Sequence, residues 1–360
     1  MQRAFKIGAV LVLSIVILGA VILVVGFEAT IEAVARAGLP AFAAVGLLIA
    51  IHLGLQASAW KSLNRGIHHR VRFRTLFAAV TAGMAVNILT PSSYLGGEPI
   101  KVLYVGRRTG LPYHEVAGTV VLSKYLEILS FLGVYGFATT VATITFRETL
   151  FRGPYLSLGV ALLALTAALL ILCLALWIGL HRAWQPLAGV VRLVWRLWPR
   201  SRLLARVHDR ARRMEEQAAR IYRDESVTTA KAFAKLFVSH VAVFLKPAAF
   251  LGLGSWSGLG LGELSLIFVA SQTLTGLQFT PSGVGLLDGG LIGTFVLLGR
   301  SEPTCMAFLL CIRFWDLVTV AGGAFLGARA GARLLSSRTE APAAPVEMPA
   351  VEPAVERARV

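Results

Sequence analysis

Acids and bases stand in this chain inside apolar sequence, and the arrangement occurs twice. TPSSYLGGE runs from Thr90 to Glu98 and TPSGVGLLD from Thr280 to Asp288, each with a carboxylate eight residues after its threonine. A proline follows each copy, Pro112 or Pro303, and then a base-aromatic-x-acid tetrad: Lys124-Tyr125-Leu126-Glu127 and Arg313-Phe314-Trp315-Asp316. Threonine and base are 34 and 33 residues apart, so order, chemistry and spacing agree between the copies and mark a duplicated unit.

The chemistry open to these groups follows from what surrounds them. A carboxylate at membrane depth costs about 2–4 kcal/mol unless it is paired or hydrated, so Glu98 and Asp288 call for bases. Lys124 and Arg313 are the candidates, and each has an acid three residues later, Glu127 and Asp316, on the same helix face. Two readings of the tetrads stay open: ion pairs that lock the two units together, or cations that meet a substrate. A base beside Tyr125 or Phe314 would suit the phosphate of a lipid headgroup with an apolar tail. Glu98 and Asp288 could gate, exchange protons or act as a general base.

Both acids lie where helices should break. Glu98 follows Gly96-Gly97 and precedes Pro99; Asp288 sits between Gly283 and Gly285 on one side and Gly289-Gly290 on the other. Pro91 and Pro281 open the two breaks, and Asn87 and Gln278 stand just before them, placed to satisfy backbone groups that a break sets free. His52 and His240 precede their threonines by 38 and 40 residues. A lone intramembrane histidine is usually a packing residue, but the matched placement adds a proton-coupling reading. Lys246, before Pro247, reads as a snorkelling side chain.

Composition sets the elements that must position these residues. The chain of 360 residues is 56% apolar and 15% charged, which excludes a soluble domain and marks an all-α polytopic membrane protein. Six runs are long enough to span: about 7–25, 39–59, 116–146, 155–180, 232–252 and 304–329. The first exceeds the apolar core of a secretory signal and is expected to remain as a helix. Two further stretches, 76–106 and 264–299, hold the repeated motifs and read as broken helices. Cys173, Cys305 and Cys311 lack metal or redox spacing and read as buried apolar residues.

A net charge of +16 raises the possibility of nucleic acid, but its placement argues against that partner. Lys61 to Arg74 and Arg182 to Lys231 cluster between spans, the positive-inside pattern, whereas 26–38 holds Glu28 and Glu32 against Arg36. Both termini are therefore expected to be cytoplasmic, in a prokaryotic cytoplasmic membrane, with 26–38 external. Arg107 and Arg108 then return the first broken stretch to its side of entry. The expected architecture is six full spans plus two re-entrant helical hairpins, each unit reading span, hairpin, span (about 39–146 and 232–329), with the second unit inverted. If each broken stretch crosses once instead, there are eight spans and the repeats run parallel. Segment 181–231 carries twelve Lys/Arg against five Asp/Glu and reads as an interfacial helix followed by a solvated one near 203–223. Residues 336–360, rich in Pro, Ala and Glu, are expected to be a disordered tail after a transmembrane domain of 1–335. No phosphate-loop, zincin or metal-spaced Cys/His pattern occurs, so no cofactor is expected.

At GGEP (96–99) with its following basic stretch, and at TPSGVGLLDGG (280–290), the chain resembles the flippase-like membrane family. That family includes the transmembrane region of lysylphosphatidylglycerol synthase and archaeal AglD-type proteins. Ser282 stands where glycine is common and Asp288 where glutamate is common, departures similar to a subgroup associated with hopanoid biosynthesis. The resemblance implies movement of a lipid or lipid-linked molecule between leaflets, membrane lipids as partners, or support of lipid-biosynthesis enzymes. Synthase members carry an added soluble catalytic domain, so aminoacyl transfer is not expected of this chain. Besides transport, a membrane-embedded transferase on a polyprenyl or phospholipid donor and a non-catalytic accessory are the alternative expectations.

Overall fold

The computed structural model describes residues 27–64, 71–90, 96–150, 156–182, 185–197, 202–254, 256, 258–277, 283 and 285–339. The expected first span at 7–25, Pro91, Pro281, Gln278 and residues 340–360 lie outside these. Among the described residues every regular element is helical. In chain order they are α1 (Phe27–Leu63), α2 (Phe73–Leu89), α3 (Glu98–Thr109), α4 (Tyr113–Thr145), α5 (Arg147–Leu150), α6 (Leu156–His181) and α7 (Pro186–Leu197). Then come α8 (Arg202–Asp224), α9 (Ser226–Phe244), α10 (Lys246–Leu253), α11 (Leu261–Gly276), α12 (Leu286–Leu297) and α13 (Glu302–Thr339).

Five helices are long and apolar enough to cross a bilayer: α1, α4, α9, Gly159–Gly179 within α6, and Glu302–Gly327 within α13. They coincide with the five expected spans that fall among the described residues. The 26–38 segment, expected as a connection, is instead helical from Phe27. Gly38 breaks the helix, with φ 68° and ψ 171°, and Pro40 opens the long continuation, where its missing N–H costs nothing. Likewise 232–252 is divided, since α9 ends at Phe244 and α10 begins at Lys246 with Pro247 in its first turn.

Each motif-bearing stretch is two short helices. Limbs of 17 and 12 residues (α2, α3) and of 16 and 12 residues (α11, α12) rise only about 18–26 Å each, short of a hydrocarbon core of about 30 Å. The limbs of each pair pack against one another. The halves also interlock in a reciprocal pattern: α1 packs along α9, α4 packs on α9 and α11, and α13 packs on α1 and α2. Each closing helix thus lies on the opening helix and the first short limb of the other half.

Helices in lipid gain little from hiding apolar surface, so close backbone approach and van der Waals packing carry more of the association. The α2–α3 contact shows this. A Cβ added at Gly97 would lie 2.2 Å from the Gly83 carbonyl oxygen, so only hydrogen atoms separate the limbs there. Where α13 crosses α2, a Cβ at Gly323 would meet that of Ala85 at 2.6 Å. Asn87, buried at the end of α2, accepts a hydrogen bond from the Gly97 N–H at 2.7 Å, the backbone-satisfying role expected of it. Cys305 and Cys311 are fully buried in the apolar cluster formed by α1, α10, α11, α12 and α13.

Gly97→Ala should therefore destabilise the protein by about 1–3 kcal/mol, the usual penalty of overpacking. Gly136→Ala on α4, where an added methyl meets nothing within 4 Å, serves as the control. Thermal unfolding in detergent reads both, and a Gly97→Ala protein that melts with wild type would exclude the limb contact.

Candidate functional site: two charged quartets and a histidine pair

The first break delivers Glu98 as the opening residue of α3, followed by Pro99 at a position where proline is tolerated. Its Oε1 lies 3.1 Å from Lys101 Nζ on the same helix and 3.3 Å from Lys124 Nζ on α4. Lys124 also reaches Glu127 Oε1 at 3.1 Å, one turn along α4. These four side chains are 11–17% exposed and their formal charges cancel. Gln56 and Trp60 of α1 line the same small space, about 10 Å³ and enough for one water-sized body. Trp60 is itself held by a 2.9 Å hydrogen bond from its indole N–H to Thr119.

The second break delivers Asp288 to the first turn of α12. Gly285, at φ 93°, turns the chain so that its N–H donates to Asp288 Oδ2 at 2.9 Å. Asp288 Oδ1 accepts from Arg313 Nη2 of α13 at 2.8 Å, and Arg313 Nη1 lies 3.9 Å from Asp316 Oδ2. Asp288 is fully buried, Arg313 nearly so, and Asp316 27% exposed. Lys246, at the head of α10, lies within electrostatic reach of Asp316 and completes a second neutral set of two acids and two bases. This one borders a cavity of about 100 Å³. The cavity wall also includes Asn87 from the first half, Ser271, Gln272 and Thr275 of α11, and apolar Phe268 and Phe308.

Between the quartets, where α1 and α9 pack, His52 and His240 face each other with ring centroids 6.0 Å apart. His52 Nδ1 lies 2.8 Å from Ser239 Oγ, and Gln56 is 3.3 Å from its Nε2. His240 Nδ1 lies 2.9 Å from Ser130 Oγ and 2.9 Å from the Leu236 carbonyl. The rings are therefore held by hydrogen bonds, as packing histidines are, while adjoining the first quartet through Ser130 and Gln56.

Each tetrad thus brings its base to its own half's break acid, as their spacing suggested. Lys101 and Lys246 were not anticipated. Lys101 sits three residues after Glu98, the same signal that marks the tetrads, but a lysine six residues before Arg107 looks like part of a solvated basic run. Lys246 was read as snorkelling; the break before Pro247 turns it to the cavity instead. The aromatic members of the tetrads are not beside the cations. The Tyr125 hydroxyl donates to Glu215 Oε1 of α8 at 3.3 Å, and Phe314 is half exposed against Phe42 and Trp315. Gly96 and Gly97 shape the first turn and Gly283 and Gly285 the second, with positive φ at Gly283 and Gly285.

Removal of Arg313 would leave Asp288 buried without its base, which costs about 3–5 kcal/mol, whereas removal of both charges restores most of the loss. Arg313→Ala should thus lower the melting temperature far more than Arg313→Met/Asp288→Asn. Equal losses in the two proteins would show that the pair contributes nothing specific.

Comparison with known proteins identifies the family. The chain is 25% identical over 324 residues to a UPF0104 membrane protein of Methanothermobacter thermautotrophicus, covering 86% of this chain and 91% of that protein. It is 21% identical over 308 residues to a UPF0104 membrane protein of Pyrococcus horikoshii, covering 83% and 90%. A third, from Methanocaldococcus jannaschii, is 25% identical over 123 residues, 34% of this chain and 36% of the relative. No solved structure matches. The model of the lysylphosphatidylglycerol synthase TM region matches residues 9–323, which include both breaks, both tetrads and both histidines, and the chain belongs to that family of multi-pass membrane proteins.

Proposed function

We infer that this protein moves a lipid or lipid-linked molecule between leaflets, with the second quartet and its cavity as the polar seat for the headgroup. The observation that carries this reading is the cavity itself, in which Lys246, Arg313 and Asp316 share a wall with Phe268 and Phe308. A membrane protein has little reason to keep charges at a half-apolar cavity unless a polar-and-apolar molecule enters it. Two cations at the rim suit an anionic headgroup, and the aromatic wall suits its chain. The first quartet, tightly paired with Glu98 shared by two lysines, is the element whose pairing changes during the cycle. Ser282 and Asp288, the departures that resemble the hopanoid-associated subgroup, make a hopanoid one cargo to compare with phospholipids.

The reciprocal packing of the halves and the shortness of the limbs support an inverted repeat with two re-entrant hairpins, because a limb of about 18 Å ends inside a core of about 30 Å. The transferase reading has weaker support. Asp288 has one oxygen bonded to Gly285 N–H and the other to Arg313, which leaves it poorly placed as a general base.

In proteoliposomes, exchange of a headgroup-labelled phospholipid should proceed without a new covalent product. A Glu98→Gln/Asp288→Asn protein should slow it by at least about ten-fold, equivalent to ~1.4 kcal/mol on the barrier. Exchange at the wild-type rate in that protein would remove both acids from the mechanism, and a modified lipid would point to the transferase. Topology has a separate test in a chain whose native cysteines are replaced. Arg108→Cys should label only from the cytoplasmic face and Leu261→Cys only from outside. Labelling of Arg108→Cys from outside would make the first hairpin a crossing.

A further inference from the structure

The transport reading leaves α7 and α8 without a role. Helix α7 begins five residues after α6, so it lies at the membrane surface from which α6 emerges. Its docked side is Ala188, fully buried, and Trp195, whose ring meets that of His208 of α8 at 5.9 Å. Its other side leaves Leu193 62% and Val194 37% exposed, flanked by exposed Arg192 and Arg196. Apolar residues bordered by arginines, on a short helix held at a membrane surface, fit the boundary between acyl chains and headgroups.

Helix α8 adds charge. Arg206, Arg213 and Arg220 recur every seven residues on one exposed face, with exposed Arg210 beside them. Two of the arm's acids do not offset them. Arg212 bonds Glu216 at 2.7 Å, a hydrogen bond that holds the Glu216 carboxyl below its usual range. Glu215 is buried on the opposite face. There its Oε2 accepts from the Ala188 N–H of α7 at 3.0 Å and its Oε1 from Tyr125, the residue next to Lys124. Ala218 and Ile221 of α8 pack with Leu122 and Leu126 on the same stretch of α4. One carboxylate therefore joins both surface helices to the helix that carries the first quartet.

We propose that α7 and α8 form an arm that binds anionic phospholipid headgroups of the leaflet beside them, and that Glu215 conveys its seating to the first quartet through Tyr125. Charge complementarity selects the occupant: a leaflet rich in phosphatidylglycerol presents the negative surface that an arm with ten Lys/Arg against four Asp/Glu over 186–224 requires. The second half of the proposal rests on the first quartet having a working role; the first half does not.

The test uses the full chain in nanodiscs of phosphatidylcholine alone or with about a third phosphatidylglycerol. Hydrogen exchange across 186–224 should be several-fold slower in the anionic discs, and added salt should remove the difference. In Arg206→Gln/Arg213→Gln/Arg220→Gln and in Leu193→Ser/Val194→Ser the lipid effect should shrink. Equal exchange of wild type in both discs overturns the surface. For the link, Ser123→Cys, which borders the first quartet, should react with maleimide at a rate that differs several-fold between the discs. Tyr125→Phe, which removes only a hydroxyl, should abolish that difference while the arm keeps its lipid-dependent protection. A reactivity difference that persists in Tyr125→Phe, or none in the parent, overturns the link. These readouts involve no transport, so their failure is separable from failure of the transport reading.

Discussion

An acid buried among apolar helices must have a base within reach, and that requirement organises this molecule. Asp288 is fully buried, and its partner comes from α13, so α12 can occupy its place only if α13 is in register beside it. Glu98 imposes the same condition on α3 and α4 through Lys124. The second limb of each broken pair is thereby tied to the closing helix of its own half, while small residues tie α2, the first limb of the first pair, to the closing helix of the other half. Neutral sets of four make the charges tolerable where an unbalanced one would distort the fold or draw in water.

How much of this could be read in advance depended on the physics behind each signal. Charges in apolar runs are conspicuous because they are costly, so Glu98, Lys124, Glu127, Asp288, Arg313 and Asp316 stood out, and like spacing paired the halves. The broken helices were visible in Gly and Pro. Lys101 and Lys246 were hidden because a lysine near basic or terminal sequence is ordinarily solvated, and only the turn before Pro247 aims Lys246 inward. The helix at Phe27 was hidden for a related reason: Gly38 and Pro40 mark an end, and a sequence does not say that another helix precedes it. Tyr125 looked like a ligand neighbour because its tetrad was considered alone; its partner, Glu215, lies 90 residues away.

The two quartets share a composition and differ in shape. The first borders a space of about 10 Å³, and the second one of about 100 Å³. The two quartets are chemically similar stations that the surrounding packing holds in different conditions. The histidine pair, at the contact of the two opening helices, is the polar junction between them.

The contact between Gly83 and Gly97 has a mechanical consequence. Where two limbs meet backbone to backbone, there is no rotamer to swing and little compressible side chain between them, so the contact is stiff. The α2–α3 pair is then a lever of fixed shape, and compliance is left to the interruptions at Gly38 and Leu245, which lie in other helices. Displacement of Glu98 would be felt where α2 meets α13, at Ala82 and Ala85 beside Gly83, without any bending of the pair itself.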